Sequence, residues 1–139
     1  MKVIIAGDRE FNDYDMLARA VEQSGFEITE VVSGGARGAD KLGELWAKEH
    51  KVPVKIFAAD WDNIKVKGAI VKINQWKKKY NANAGFERNQ QMADYAEALI
   101  ALQPDGPTSG TQDMIKRAKK RGIPIHIYEK SDTEYEYKF

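Results

Sequence analysis

Residues 31–40 read VVSGGARGAD: two valines and a serine, then three glycines around a single arginine, then the opening of a segment with helical spacing. A strand that ends in a glycine turn and feeds a helix leaves backbone N–H groups pointing into a crevice, where the helix dipole favours an anion. Gly34, Gly35 and Gly38 allow close backbone approach, and Arg37 offers a planar fork of donors suited to phosphate oxygens. The competing reading is a tight strand-to-helix turn with an exposed arginine.

The same strand-turn-helix unit repeats along the chain. Apolar, β-branched runs at 2–6 (KVIIA), 30–33 (EVVS), 52–57 (VPVKIF), 97–102 (EALIAL) and 123–128 (IPIHIY) read as five short strands, most of them buried on both faces. Helical spacing at 14–25, 39–50, 87–96 and 111–122 separates them, with Gly25 and Gly122 as C-terminal caps. Such alternation predicts an α/β fold, a parallel sheet covered by helices on both faces, with ligands at the carboxyl ends of the strands.

Composition sets the bounds. With 139 residues, 42% hydrophobic and 31% charged, the chain suits one domain over 1–139. A net charge of +1 provides no overall field toward nucleic acid or membrane, so such attraction would need a local patch. There is no cysteine, hence no disulfide, thiol nucleophile or thiolate metal site. The amino terminus turns polar too soon for a signal peptide, and no run reaches membrane-spanning length, so the expectation is a cytoplasmic protein with no membrane partner. Residues 64–83 carry six lysines and no acid, and read as an insertion containing a basic helix. The tail at 129–139 is acidic and aromatic, and reads as frayed.

The loops that follow the strands hold the unusual residues: GDREF (7–11), GGARGAD (34–40), AADWDN (58–63) and QPDGPTSGT (103–111). The glycine pattern is neither G-x-G-x-x-G nor a P-loop, so a dinucleotide fingerprint and ATP hydrolysis are unsupported and no cofactor is expected. TSGT at 108–111 opens another helix and suggests a second anion site through Ser109, Gly110 and Thr111, or else an ordinary N-cap by Thr108 or Ser109. His50 and His126 lack metal-ligand spacing, so no metal is expected. Ser33 and Ser109 have no histidine placed to activate them as nucleophiles.

VVSGGARGAD, followed in order by ERNQQMADYAEALIAL, SGTQDMI and RGIPIHIY, resembles the SLOG superfamily. This Rossmann-like group unites the Smf/DprA proteins with the "lonely guy" phosphoribohydrolases, and the nearest branch is the small stand-alone YspA type related to cpYpsA. The resemblance covers nearly the whole chain apart from the lysine-rich insertion and the acidic tail. It implies a Rossmann-like, doubly wound, mostly parallel five-stranded sheet. It also implies a homodimer or higher homo-oligomer and a nucleotide-derived ligand held by the loops after the first, second and fourth strands.

Three branches suggest three functions. The phosphoribohydrolases resemble this chain at Glu87, Arg88 and Met92, which makes Arg88 and Glu87 candidate catalytic residues; yet the glutamate of their PGGxGTxxE motif falls on Met114, which can neither act as a base nor balance an oxocarbenium charge. The Smf/DprA branch, similar at SGGARGAD, RN and SGT, implies single-stranded nucleic acid, for which Trp76 beside Lys77, Lys78 and Lys79 offers a basic track with a stacking platform. The third branch implies a small nucleotide, NAD- or ADP-ribose-like or a signalling nucleotide, bound by a sensor, sponge or processing protein. Here Arg9, Arg37 and Arg88 would converge on the phosphates, with Gly7, Asp40 and Asn89 nearby and Trp61 or Phe86 facing the base. The third reading is preferred.

Overall fold

The computed structural model describes residues 1–129, so the expected tail, past Glu129, lies outside the described residues. Strands β1 (Lys2–Gly7), β2 (Glu30–Ser33) and β3 (Val54–Ile56) are followed by a short pair, β4 (Val71–Ile73) and β5 (Lys79–Asn81), and then by β6 (Ala98–Gln103) and β7 (Ile125–Glu129). Helices α1 (Tyr14–Ser24), α2 (Ala39–Glu49), α3 (Asn83–Tyr95) and α4 (Ser109–Arg121) lie between them.

Five strands form one parallel sheet in the order β3-β2-β1-β6-β7. The chain steps outward from β1 to β3, then returns to lay β6 on the other side of β1, so the strand order reverses between β1 and β6. That reversal makes the sheet doubly wound and opens a crevice at its carboxyl edge. Successive side chains of a strand point to opposite faces. Accordingly Val3, Ile5, Val31 and Ile100 pack under α1 and α2, while Ile4, Ala6, Val32 and Leu99 pack under α3 and α4.

Burial on both faces holds for the central strands and fails at the margins. In β6 every residue is buried, whereas in β3, an edge strand, Lys55 and Ile56 are exposed, and β7 at the other edge is mostly half-buried. An edge strand has one neighbour and incomplete helical cover. Gly25 and Gly122 close α1 and α4 in the left-handed conformation expected of C-terminal caps.

The insertion corrects the sequence reading. Residues 64–83 contain no basic helix; β4 and β5 pair as an antiparallel hairpin, Val71 opposite Asn81 and Ile73 opposite Lys79. At its tip the Asn74 carboxamide oxygen accepts from the amides of Trp76 at 2.9 Å and Lys78 at 3.0 Å. Lys77 sits there at φ 60. An Asx-type turn competes well with helix in this setting, and Val71 and Ile73 favour the pleat. At its base, buried Asn81 accepts from the amides of Ile70 and Asn83, both at 3.0 Å, and ties the hairpin to the start of α3.

Candidate functional site

The site is assembled where the loops after β1, β2 and β6 meet the amino end of α3. Gly38 makes the first join: it has φ 77, and a Cβ there would stand 2.4 Å from the carbonyl oxygens of both Asp8 and Arg9. Only glycine lets the loop before α2 lie directly on the loop after β1. The Ala39 amide then donates to Asp8 O at 3.1 Å, and Arg37 reaches across to Glu10 at 2.7 Å, an ion pair with both side chains largely in solvent.

α3 makes the second join through two adjacent residues. Arg88 Nη1 donates to Gly34 O at 2.7 Å, and its Nε donates to Asn89 Oδ1 at 3.2 Å. Buried Asn89 in turn donates to Asp113 Oδ2 at 2.9 Å and to Gly110 O at 3.3 Å. The Arg88–Asn89 pair thus holds the glycine loop with one side chain and the amino end of α4 with the other. Gly34 is small for the same reason, since a Cβ would sit 2.7 Å from Arg88 Nη1 and 2.9 Å from Asp40 Oδ2.

These joins enclose a cleft of about 1000 Å³. One wall is the start of α4. Thr108 occupies the N-cap position without a side-chain bond to the backbone, its hydroxyl donating instead to Thr111 Oγ1 at 2.9 Å, and the first turn holds no acid. Ser109, Gly110 and Thr111 line the cleft, and the amides of this first turn have no side-chain acceptor from the cap. Aromatic rings line the cleft as well. Trp61 lies against α3 so closely that a Cβ on Gly85 would be 2.6 Å from its ring, with Tyr80 edge-on at 6.3 Å between centroids and the Arg9 guanidinium 5.8 Å above it. Phe86 also lines the cleft.

On the floor sits Asp40, buried at 8% exposure, with Oδ2 accepting from the Ala36 amide at 3.1 Å. Burial pushes its carboxyl up to about 6, and Glu44 adds to the rise; the Ala36 amide, Arg88 and Arg9 pull the other way. Burial also lowers the Arg88 guanidinium from its ordinary value, with Arg9 acting in the same sense and Asp40 opposing.

Of the expected ligand residues, Gly7, Arg9, Arg37, Asp40, Arg88 and Asn89 line this cleft, as do Ser109, Gly110 and Thr111. Ser33, Gly34, Gly35 and Gly38 do not line it and act from behind. Ser33 is buried, donates to Glu44 Oε2 at 2.7 Å and accepts from the Gly35 amide at 3.1 Å, which fixes the turn. Glu87 is not brought to the cleft with Arg88: it is exposed, accepts from Asn83 Nδ2 at 3.1 Å, and lines a separate cavity of about 240 Å³. Arg88 borders both cavities, while Glu87, about 100° round the helix, reaches only the second. Met114 is 1% exposed and packs between α3, α4 and the sheet.

The hairpin supplies lining residues that the sequence reading did not place there: Asn74 and Tyr80 border the cleft beside Trp76 and Lys78. Lys78 pairs with Asp62 at 3.3 Å, while Trp76 is 76% exposed. Lys77 and Lys79 are exposed outside the cleft. The period-two pattern of Val71, Lys72 and Ile73 ahead of Asn74 was the available signal. Among the described residues no group of three or more histidine or acidic side chains is placed to hold a metal, and no helix is long and apolar enough to cross a membrane.

A doubly wound parallel sheet with its cleft at the point of strand reversal defines a Rossmann-like α/β protein. The chain belongs to the SLOG superfamily: the model of the YspA, cpYpsA-related SLOG family matches residues 1–63. The Gene 61 protein of Mycobacterium phage D29 is 30% identical over 133 residues, covering 89% of this chain and 93% of that protein. The fold is similar to that of DNA processing protein A (DprA) from Streptococcus pneumoniae, with a TM-score of 0.63 at 16% identity over 89% of this chain. This chain spans about half, 48%, of the DprA chain.

Proposed function

We propose that the chain, acting as one domain, binds a phosphate-bearing nucleotide or nucleotide-derived ligand, NAD- or ADP-ribose-like or a signalling nucleotide, in the cleft at the carboxyl edge of the sheet. The observation that carries the reading is that an uncapped, acid-free helix start at Ser109–Thr111 and Trp61 line one cleft, the Arg9 guanidinium standing over the ring. Arg9 makes no ion pair among the described residues, which leaves its charge for a ligand. The phosphate takes the start of α4 and the arginines, and the base takes the aromatic wall.

Binding as a cytoplasmic sensor or sponge, in a homo-oligomer, suits this cleft better than N-glycosidic hydrolysis. The carboxylate position of that chemistry is the buried Met114, and Glu87 faces the other cavity. Saturation-transfer NMR with AMP, ADP-ribose, NAD and cyclic AMP tests the reading and reports breakdown in the same tube. Transfer that falls severalfold in Arg9→Ala and Arg37→Ala supports the site; transfer unchanged in both overturns it.

A second reading, single-stranded nucleic acid along the hairpin, draws on the exposed Trp76 in a hydrogen-bonded tip beside Lys77, Lys78 and Lys79. It requires binding that weakens steeply with salt.

A further inference from the structure

Asp40 has two oxygens and the fold uses one. Oδ2 accepts from the Ala36 amide at 3.1 Å, while Oδ1 has no hydrogen-bond partner among the described residues. Arg88 is placed in the same way: Nε and Nη1 are taken by Asn89 and Gly34, and Nη2 has no protein partner among the described residues. Both residues line the cleft, and Arg88 Nη1 and Asp40 Oδ2 stand 2.7 and 2.9 Å from the position a Gly34 Cβ would take, so the two side chains flank one point of the glycine loop, with no ion pair between them among the described residues. Asp40 is more than nine-tenths buried, yet Oδ1 keeps solvent access, so it is open to a hydrogen-donating partner that enters the cleft.

The three parts of a nucleotide compete for that place. Phosphate is repelled by a carboxylate in a desolvated pocket, and it has better donors at the start of α4 and at Arg9. The base has its flat surface at Trp61 and Phe86. Sugar hydroxyls remain, and each both donates and accepts, which matches a carboxylate oxygen beside a guanidinium nitrogen.

We propose that Asp40 and Arg88 read the vicinal hydroxyls of a ribose, making the cleft specific for ribonucleotides over 2′-deoxyribonucleotides. This rests on the nucleotide-binding reading above and narrows it to ribose-bearing ligands. Asp40 must be ionised to accept from both hydroxyls. The charged groups facing it are Arg88 from α3, Arg9 from the loop after β1 and Glu44 from its own helix. The discrimination therefore narrows as pH falls through about 6, where the carboxyl gains its proton.

The test is isothermal titration calorimetry of the full chain at pH 7.5 with the four ribonucleoside 5′-monophosphates, their 2′-deoxy counterparts and ADP-ribose. A ribose preference of about tenfold or more is the expected result, from loss of a hydrogen bond to a charged group. Asp40→Asn should reduce that preference severalfold. Equal affinity for ribo and deoxy forms in the parent protein overturns the proposal while leaving the cleft reading intact, and needs no variant to fold. A preference among bases that Asp40→Asn alters, with no ribose preference, also overturns it, because Asp40 would then read a base edge. No binding by any probe overturns the cleft reading and this inference together.

Discussion

Arg88, on a helix that covers one face of the sheet, donates to the carbonyl oxygen of Gly34, in a loop that leads to a helix on the other face, at 2.7 Å. The bond closes the crevice from both sides of the strand reversal. Arg88→Lys keeps the charge but cannot span Gly34 and Asn89 together, since a single ammonium replaces a planar fork. The expected outcome is a loss of about 1–3 kcal/mol in denaturant unfolding and at least tenfold weaker nucleotide binding, read by calorimetry.

Asp40 predicts a pH dependence of stability. Its folded-state value of about 6 lies above the 3.8 of an exposed aspartate, so its contribution is present in full below about pH 4 and is lost as pH rises through about 6. Asp40→Asn, which mimics the protonated form, should unfold at higher denaturant than the parent at pH 7.5, by up to about 3 kcal/mol. At pH 4 the two should nearly coincide. An excess stability that stays constant across this range would contradict the assignment.

Gly38→Ala combines a positive φ with a Cβ placed 2.4 Å from two carbonyl oxygens. The loops after β1 and β2 would have to part. A destabilisation of about 2 kcal/mol or more is expected, together with loss of nucleotide binding at temperatures where the protein still folds. Gly110→Ala is the control, because nothing lies within 4 Å of its Cβ and its backbone is helical. A Gly110→Ala protein as unstable as Gly38→Ala would refute the close-approach account.

Asn89 carries a different load. It is buried and bonds both Gly110 O and Asp113, so Asn89→Ala strips the support from the start of α4. We expect a loss of about 1–3 kcal/mol and faster amide exchange at Gln112, whose amide donates to Thr108 O at 2.9 Å, than later in the helix. Uniform exchange changes across the chain would indicate a general loss of packing instead.

The hairpin separates the two functional readings. Lys77→Ala with Lys79→Ala leaves the cleft lining untouched, so AMP affinity should not change. Affinity for a poly-deoxythymidine strand should fall, and its salt slope should shrink by about 1.4, if those lysines meet phosphates. An unchanged slope removes the nucleic-acid reading of this surface.

How much of this was legible in the sequence depends on how local the signal was. The glycines at 34, 35 and 38, the helix start at 109 and the alternation of strands and helices are written in short stretches, and the sheet and most of the cleft followed from them. The hairpin was misread because its lysines dominated a window whose turn depends on one carboxamide, that of Asn74. The family resemblance pairs Glu87 with Arg88, yet Arg88 borders both cavities whereas Glu87, one helical step round, reaches only the second. The roles of Ser33 and Asn89 as braces rest on bonds to Glu44, Asp113 and Gly110, partners 11, 24 and 21 residues away, which no short motif contains.

The reversal of strand order also decides where this chain can vary. The chain leaves β3 at one margin of the sheet and must re-enter beside β1 on the opposite face. Its path runs over the strand ends, and residues 57–82 are delivered to the rim of the cleft by topology alone. Lengthening or exchanging that segment beyond Phe57, whose amide still bonds Ser33 O, would redraw what the rim admits while leaving the register of the main sheet in place. Diversification among relatives should therefore concentrate in this bridge, as interchangeable doorways built on one constant frame.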